Sequence, residues 1–320
     1  MVTATGHPPT APLSSAWSAL PPEYAIPDHA PSEAEAREYC RRLARSHYEN
    51  FSVASWFLPE QLRQHFFNVY AYCRISDDLG DEVGDGAVSL QLLDQWENEL
   101  NACYDGDHTR SPRHPVFVAL AETVRKFEIP KHEFADLLSA FRQDQSVSRY
   151  ETFNDLLGYC RYSANPVGHL VLYLCGYRDC AHQQLSDYTC TALQLANFWQ
   201  DVSADFAKGR IYLPLEDLRR FGVSEAAIRD RENTSAFREM MKFEVERARE
   251  WFTQGLPLIA KVDRALAIDI ELFSRGGQEI LNAIESRRYA VLGRRPAISK
   301  TRKLALVARA ALGKLLGKQI

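Results

Sequence analysis

Apolar residues recur every three or four positions along most of the chain from Ser32 onward, which is the spacing of one buried face of an α-helix. The segment starts with the signature of a capping box, because Ser32 is followed three residues later by Glu35. Alternation of single apolar and polar residues, which is typical of strands, is almost absent. The pattern predicts an all-α fold with roughly ten helices in a single domain over residues 32–295.

The two ends of the chain differ from this helical part. Residues 1–31 hold seven of the fifteen prolines, and proline interrupts helices and sheets, so we expect a disordered or extended arm. No acidic residue follows Glu285, and residues 296–320 combine lysines and arginines with regularly spaced leucines. This predicts a basic amphipathic helix, which could lie on an anionic membrane surface or pack on the domain as a solvated terminal helix.

Composition narrows the class of protein. The content of 46% apolar and 25% charged residues, with a net charge of −4, is typical of a globular protein and argues against a nucleic-acid partner. Seven cysteines without a C-x-x-C pair are expected to be reduced thiols. Because no apolar run reaches the roughly 18 residues of a membrane span and the N-terminus lacks a secretory signal, we expect a cytoplasmic protein. The basic tail would attach it peripherally to the inner face of a bacterial membrane.

Four acidic residues form the first candidate site. On a helix, Asp77 and Asp81 share one face, and Asp78 and Glu82 form a second pair beside them. Like charges at this spacing repel each other, which favours a bound cation. Mg²⁺ binds carboxylate oxygens and leaves coordination positions for phosphate. Taken alone, the pattern also fits an acidic helix end that runs into a turn.

A second oxygen-rich stripe lies 120 residues further along the chain. Asn197, Asp201 and Asp205 follow one another at intervals of four on a helix that is otherwise apolar. Burying such side chains is costly unless they bind something. We therefore predict that both stripes face each other across a Mg²⁺ cluster, with Asp78 and Glu82 as less direct ligands.

Basic residues accompany both stripes. Arg74 lies one helical turn before the first stripe, and Lys208 and Arg210 follow the second, so all three could hold a diphosphate that bridges the metal ions. Tyr70 lies one further turn before Arg74. Metal ions withdraw charge from such a leaving group, so the carbon–oxygen bond could ionise, and an apolar helical cavity would protect the carbocation from water.

In order and spacing, these motifs resemble those of the squalene/phytoene synthase family. The resemblance rests on Tyr70-x-x-x-Arg74-x-x-Asp77-x-x-x-Asp81, Asn197-x-x-x-Asp201-x-x-x-Asp205 and Gly209-Arg210-Ile-Tyr212-Leu-Pro214, and on segments 144–150 (DQSVSRY), 159–168 (YCRYSANPVG) and 280–289. It implies a class I isoprenoid synthase fold with a central cavity, Mg²⁺, and head-to-head chemistry on prenyl diphosphates through a cyclopropylcarbinyl intermediate. It also implies that Tyr289 faces the diphosphate.

The chain departs from the condensing members of that family at four places, one of which is Ala204, where those members usually have Glu. Glu49 and Asn50 stand before Phe51, where those members usually carry a basic residue and Ser, and Gln200 stands where they usually carry Arg. Residues 163–165 read SAN instead of VAG. A condensing enzyme must hold two diphosphates, so the loss of two expected cations indicates one diphosphate per turnover. Neutral drift within a condensing enzyme would also explain Gln200.

These departures resemble the branch of the family that forms hydroxysqualene in bacterial hopanoid biosynthesis. The resemblance implies that presqualene diphosphate is ionised and that water captures the cation, giving hydroxysqualene and diphosphate. No nicotinamide cofactor is expected, since no G-x-G-x-x-G unit is present. Phe51, Tyr70 and Gln200 would contact the substrate. The alternative is a condensing enzyme that makes squalene, presqualene diphosphate or phytoene.

Two residues are candidates for holding the attacking water. Tyr162 and Asn165 lie three apart, so on a continuous helix they would face the same side, and a hydroxyl and an amide could orient one water. Asn165 could instead cap a helix break at Pro166. A non-enzymatic assembly factor with a decayed site is a further alternative, which the intact set of acidic and basic residues argues against.

Overall fold

The computed structural model describes residue 17 and residues 20–46, 59–105, 111–299, 301, 302, 305, 306 and 308, and the statements below refer to these residues. The prediction of an all-α fold is confirmed, because this part contains twelve α-helices and no strand beyond one bridge between Arg149 and Ile211. The helices are α1 Glu33–Ser46, α2 Glu60–Asp81, α3 Gly86–Tyr104, α4 Pro115–Phe127, α5 Lys131–Gln143, α6 Phe153–Ser163, α7 Asn165–Leu174, α8 Cys180–Ala207, α9 Leu215–Phe221, α10 Glu225–Arg229, α11 Ser235–Gly255 and α12 Arg264–Ser286.

Two long helices organise the packing. Helix α2 contacts α1, α3, α4, α5 and α7, and its Tyr72 lies with Trp96 of α3 in a fully buried aromatic cluster. Helix α8 contacts α6, α7, α11 and α12, and its Trp199 is fully buried in a second cluster. Both helices therefore have one face in a core. Their remaining faces carry the residues of the candidate site.

The N-terminal arm is ordered where it meets this core. The capping box is confirmed, since the backbone N–H of Ser32 donates to Glu35 at 2.9 Å and that of Glu35 donates to the Ser32 hydroxyl at 3.3 Å. The prediction of a disordered or extended arm does not hold at Pro22–Tyr24, which is a 3₁₀ helix, and only 1% of Tyr24 is exposed. Proline fits the first turn of such a helix because its φ is already set. Residues 1–16 lie outside the described part.

Helices α6 and α7 are separated by a break. Ala164 has φ −121° and ψ −47°, which is not helical, and Pro166 lies in the first turn of α7. Beyond the break, His169 joins three helices: its Nδ1 lies 3.0 Å from Glu133 of α5 and its Nε2 lies 2.7 Å from Asp187 of α8. Burial would lower the pKa of His169, but the bonds with Asp187 and Glu133 outweigh it and raise the pKa to about 9.

The chain after α12 returns along α8. Gln200 donates from Nε2 to the carbonyl oxygen of Pro296 at 2.5 Å, and the N–H of Gly293 donates to the Ser203 hydroxyl at 3.1 Å. In the predicted amphipathic tail, the described residues between 301 and 308 are helical. Among the helices that the structure describes, none has the length and apolarity to cross a bilayer. All seven cysteines are free thiols.

Candidate active site

The last turns of α2 carry the first acidic stripe. Arg74 binds Asp78 through two nitrogens, with Nε at 3.0 Å from Oδ2, and lies 3.8 Å from Asp77. The hydroxyl of Tyr24 donates to the same Asp78 oxygen at 2.8 Å, and Asp78 is only 5% exposed. Both oxygens of Asp78 are therefore bound within the protein. Tyr24 and Arg74 thus hold Asp78 in the core, and it stays the less direct candidate ligand that the sequence indicates.

Asp81 faces the basic residues that follow α8. Arg210 donates to Asp81 Oδ1 at 2.5 Å, and Lys208 lies 3.3 Å from its Oδ2. Gly209 has φ +81°, a left-handed conformation that favours glycine, and this turn brings the chain back so that both cations point to one carboxylate. Lys208 also lies 3.5 Å from Glu82, which is exposed. The structure thus brings Asp81, Glu82, Lys208 and Arg210 together as the sequence predicts.

The second stripe runs along the solvent-facing side of α8. Asn197 is exposed, whereas Asp201 and Asp205 are half-buried. Arg295, from the segment after α12, binds both oxygens of Asp201, with Nη2 at 2.8 Å from Oδ2. Sequence reasoning missed Arg295 as a site residue, because 94 positions separate it from Asp201 and no local pattern joins them.

Asp144 is a further acidic residue of this site that was missing from the predicted ligands. Tyr159 donates its hydroxyl to Asp144 Oδ2 at 2.8 Å, while Oδ1 is buried without a hydrogen-bond partner. Arg210 also reaches the Asp144 carbonyl oxygen at 3.5 Å. Burial raises the pKa of Asp144 to about 6, although the nearby Arg210 opposes the shift. The available signal was the DQSVSRY segment, which starts at Asp144 and resembles a family motif.

The remaining carboxylates act on one another through space. Burial, then the charges of Asp201 and Asp81, raise the pKa of Asp205 to about 7. The pKa of Asp77 is also raised by burial and by Asp81, although half of its side chain is still accessible. For Asp81, burial is outweighed by hydrogen bonds from Arg210 and Lys208, and its pKa is lowered. The cluster therefore holds more negative charge than its cations neutralise.

This donor set fits magnesium that is shared with a phosphate group. Carboxylate and amide oxygens are its usual ligands, and Asp144 Oδ1 lies buried without a hydrogen-bond partner. Burial and the charges of Asp201 and Asp81 raise the pKa of Asp205, and a bound cation would offset this repulsion. In the described part of the chain, no three acidic, histidine or cysteine side chains converge closely enough to hold an ion by themselves. An ion here would take further oxygens from a bound diphosphate, which is how Mg²⁺ commonly binds.

The prediction that Tyr162 and Asn165 share a helix face is wrong. The break at Ala164 separates them: Tyr162 ends up 37% exposed, and Asn165 is buried on the next helix. The Asn165 amide oxygen accepts a hydrogen bond from the Thr191 hydroxyl at 3.0 Å, so its side chain joins α7 to α8 and does not cap the break. A proline at position 166 makes the preceding residues leave the helix.

The other residues that were predicted to contact the substrate or the diphosphate differ in how near they lie to the acidic cluster. Tyr70 is half-buried on α2, one turn before Arg74, as predicted. Gln200 is buried and bound to the Pro296 carbonyl. Tyr289 lies in a left-handed turn after α12, and the charged groups that act on it are Glu285, Glu246 and Arg249, so the described contacts do not join it to the cluster. Phe51 lies outside the described residues.

Two helices with acidic stripes, whose Asp81 and Asp205 are close enough to act on each other, inside a bundle of α-helices, are typical of isoprenoid synthases. The family model of squalene/phytoene synthase matches residues 44–302. The chain belongs to the squalene/phytoene synthase family.

Relatives and solved structures agree with this assignment. The phytoene synthase of Arthrospira platensis is 29% identical to this chain, and the match covers 88% of this chain and 94% of the relative. The 15-cis-phytoene synthase of Synechocystis sp. is 31% identical, and the match covers 85% of this chain and 83% of the relative. The squalene synthase HpnC of Alicyclobacillus acidocaldarius has 44% identity and a TM-score of 0.74, over 86% of this chain and 98% of that one. A ligand-bound dehydrosqualene synthase has 25% identity and a TM-score of 0.79, over 89% and 98%.

Proposed function

We propose that this protein is a hydroxysqualene synthase, which ionises presqualene diphosphate and captures the carbocation with water to give hydroxysqualene and diphosphate. The wider function, that of an enzyme acting on prenyl diphosphates, follows from the family. The identity to the squalene synthase HpnC, 44%, exceeds the identity to the phytoene synthases by more than ten percentage points, which favours a squalene-type substrate over phytoene formation. The step from there to hydroxysqualene rests on the residues of this chain.

The observation that carries the proposal is the environment of Gln200. It is 5% exposed and neutral, and the Pro296 carbonyl occupies its amide. An arginine at this position would add a cation next to Asp201. The described cations of the cluster are also engaged, since Arg74, Arg210 and Arg295 each bind a carboxylate. The number of cations is sufficient to bind one diphosphate together with its metal ions. Few positive charges are left to bind a second diphosphate.

The chain's own residues divide the work between two regions. Asp77, Asp81, Asn197, Asp201 and Asp205 would hold magnesium, which when bound supplies positive charge that favours departure of the diphosphate. Asp144 joins them as a candidate. Arg74, Lys208 and Arg210 would exchange their present carboxylate partners for phosphate oxygens. Tyr70 would lie where the hydrocarbon part of the substrate begins.

The basic tail forms part of the proposal. The proposed substrate of the enzyme is a water-insoluble lipid. All charged side chains of the tail after Arg302 are basic. We place the protein at the inner face of a bacterial membrane through this tail. The attachment would be peripheral, with anionic headgroups as the partner.

Product analysis tests the function directly. Purified protein with Mg²⁺ and presqualene diphosphate, in the absence of NADPH, is expected to yield hydroxysqualene and one diphosphate, as measured by mass spectrometry of the extract. In ¹⁸O-labelled water the alcohol should carry the label. Asp205→Asn serves as the control for enzymatic turnover.

A condensing activity is the second candidate, because the curated relatives at 29–31% identity are phytoene synthases. A parallel reaction therefore starts from farnesyl diphosphate. Formation of a C30 product from farnesyl diphosphate, with no hydroxysqualene from presqualene diphosphate, would replace the proposed function with this one.

A further inference from the structure

The segment after α12, which we call the strap, comprises residues 287–296 and runs back along α8. Two of its side chains, Val291 and Leu292, are buried in the core. Its Arg295 binds both oxygens of Asp201, which lies 94 positions earlier in the chain. The strap therefore brings a cation to the acidic cluster, and the position of this cation depends on what holds the backbone of the strap.

The strap begins with an unusual turn. Arg288 and Tyr289 have φ values of 54° and 60°, in the left-handed region that favours glycine. A helix that ends in left-handed backbone usually has glycine there. Successive residues with side chains persist in this region only where the surrounding structure holds them, and such positions are frequent at functional sites. Contacts from another element are therefore needed to hold this turn.

Arg238 of α11 makes such contacts. Its Nη1 donates to the carbonyl oxygen of Arg288 at 2.7 Å and to that of Arg287 at 3.4 Å. Its Nε donates to the carbonyl oxygen of Asn233 at 3.0 Å, in the loop before α11. One guanidinium thus joins the start of the strap to this loop.

Asn233 holds the middle of the strap through its side chain. Its Nδ2 donates to the carbonyl oxygen of Leu292 at 2.9 Å, and its Oδ1 accepts the Leu292 N–H at 3.1 Å. The amide therefore satisfies both backbone groups of one residue, as the opposite residue of an antiparallel strand would. Two hydrogen bonds of this kind fix both the position and the direction of the strap.

Beyond this point, contacts with α8 lie on both sides of Arg295 along the chain. The N–H of Gly293 donates to the Ser203 hydroxyl at 3.1 Å, and the Pro296 carbonyl oxygen accepts from Gln200 at 2.5 Å. These bonds fix the backbone and leave the long side chain of Arg295 able to change its acceptor. Arg295 is therefore kept beside the cluster whichever acceptor it binds.

We propose that Asn233 and Arg238 are positioning residues for diphosphate binding, because they hold the strap so that Arg295 stays at the acidic cluster; this inference rests on the proposed function. Asp201 cannot give both oxygens to Arg295 and also bind a metal ion. When Asp201 serves as a magnesium ligand, Arg295 becomes available to the phosphate oxygens. A planar guanidinium can bind two of them at once, as it binds two carboxylate oxygens here.

The two residues act before the ligand arrives. If the strap were loosely held, binding of a diphosphate would have to order it, and this cost would lower the affinity. Asn233 and Arg238 order the strap in the free protein, so the cost is already met when Arg295 binds phosphate. Neither residue needs to touch the diphosphate for this effect.

The test measures the binding of inorganic diphosphate with Mg²⁺ by isothermal titration calorimetry, so it does not depend on turnover. Arg295→Gln should raise the dissociation constant about 10- to 100-fold, which corresponds to the loss of a hydrogen bond between charged groups. Asn233→Ala, which removes both bonds to Leu292, should raise it about five- to tenfold, because Arg295 is present but must be ordered on binding.

A double-mutant cycle separates positioning from general damage to the fold. In the Arg295→Gln background, Asn233→Ala should change the dissociation constant by less than about twofold, since the side chain that it positions is gone. Arg238→Lys loosens the strap at its other anchor. It should likewise weaken binding in the unaltered background and have no effect together with Arg295→Gln.

Thr234→Ala is the matched control. Thr234 lies next to Asn233 and caps α11, because its hydroxyl accepts the N–H of Phe237 at 3.1 Å. Loss of the cap should lower the temperature of thermal unfolding. The dissociation constant should stay within about twofold of that of the unaltered protein, because the bonds to the strap remain. Thermal unfolding of every variant shows whether it has folded.

Two results would overturn the inference. The first is unaltered diphosphate binding in Arg295→Gln, or in both Asn233→Ala and Arg238→Lys. The second is an equal loss of affinity with and without Arg295, because the two residues would then act on the fold and not through Arg295. A failure of the proposed function is distinct from both, since it would appear as the absence of hydroxysqualene from an unaltered enzyme that still binds diphosphate.

Discussion

Asp81 and Asp78 lie three residues apart in the last turns of α2, yet their surroundings assign them to different tasks. Asp81 is half-buried and faces Arg210 and Lys208 at the cluster. Asp78 is buried and faces Tyr24 and Arg74. The sequence ranks Asp78 as the less direct ligand but does not reveal its partner Tyr24, which is 54 positions away. The difference between them can be measured.

We expect Asp81→Asn to abolish turnover and the thermal stabilisation by Mg²⁺ plus diphosphate, with little change in the unfolding midpoint of the free protein. Asp78→Asn should lower the free energy of unfolding by about 2 kcal/mol, which is less than the usual cost of breaking a fully buried ion pair because Arg74 is partly exposed. Differential scanning fluorimetry with and without the two ligands measures both effects. Equal ligand stabilisation in Asp81→Asn and the unaltered protein would contradict the assignment of Asp81.

At the residue scale, the sequence predicts which side chains belong to the acidic cluster, but it does not predict the ion pairs and hydrogen bonds that they form in the structure. The spacing of Asp77, Asp81, Asp201 and Asp205 is local, so one helical period suffices to predict that they share faces. The contacts of Arg295 with Asp201 and of Gln200 with Pro296 join distant segments. Such contacts depend on how the chain after α12 returns along α8, and no local spacing encodes that path.

At the scale of elements, α7 approaches α8 closely. Gly168 of α7 faces α8, and a Cβ added there would lie 2.6 Å from Cys190 Sγ and closer still to the Ser186 hydroxyl. A glycine is therefore required for packing at this point. By contrast, Gly158 of α6 is exposed, and an added Cβ would meet nothing within 4 Å.

Gly168→Ala should therefore lower the free energy of unfolding by about 1–3 kcal/mol, the usual cost of overpacking. The control Gly158→Ala should be neutral or stabilising by up to about 1 kcal/mol, because alanine has the higher helix propensity. Urea denaturation followed by circular dichroism measures both. If Gly168→Ala proves as stable as Gly158→Ala, α7 and α8 do not pack as closely as the structure indicates.

The elements themselves were largely predictable, with one instructive exception. Long periodic segments such as α2 and α8 are evident in the sequence, since their apolar faces repeat over many turns. The sequence offered a break at Pro166 only as an alternative to a continuous helix, and the break at Ala164 changes the positions of Tyr162 and Asn165 relative to each other. Its signal was Pro166, which disfavours helical backbone before it.

At the scale of the whole molecule, charge is distributed unevenly between the body and the tail. The chain carries a net charge of −4, yet no acidic residue follows Glu285. The first basic residues after α12 belong to the body, because Arg295 binds Asp201 and Arg302 lies 2.9 Å from Glu279. A truncation that tests membrane binding must therefore spare Arg302, and the basic charge that it can remove without disturbing these contacts is that of residues 303–320.

Removal of residues 303–320 should weaken binding to vesicles that contain anionic lipid. This segment has four basic residues, and each gives about 1 kcal/mol near such a surface, so a fall of two orders of magnitude or more is expected at low salt. The difference should shrink as salt rises, because exposed charges are then screened.

Co-sedimentation with anionic and with neutral vesicles measures the effect. A full-length variant with the four basic residues changed to glutamine separates the effect of their charge from that of the apolar residues in the same segment. Turnover of substrate dissolved in detergent should be the same in all three proteins, since Arg295 and Pro296 keep their contacts with α8. Equal binding of the full and truncated chains to anionic vesicles would exclude the tail as the membrane anchor.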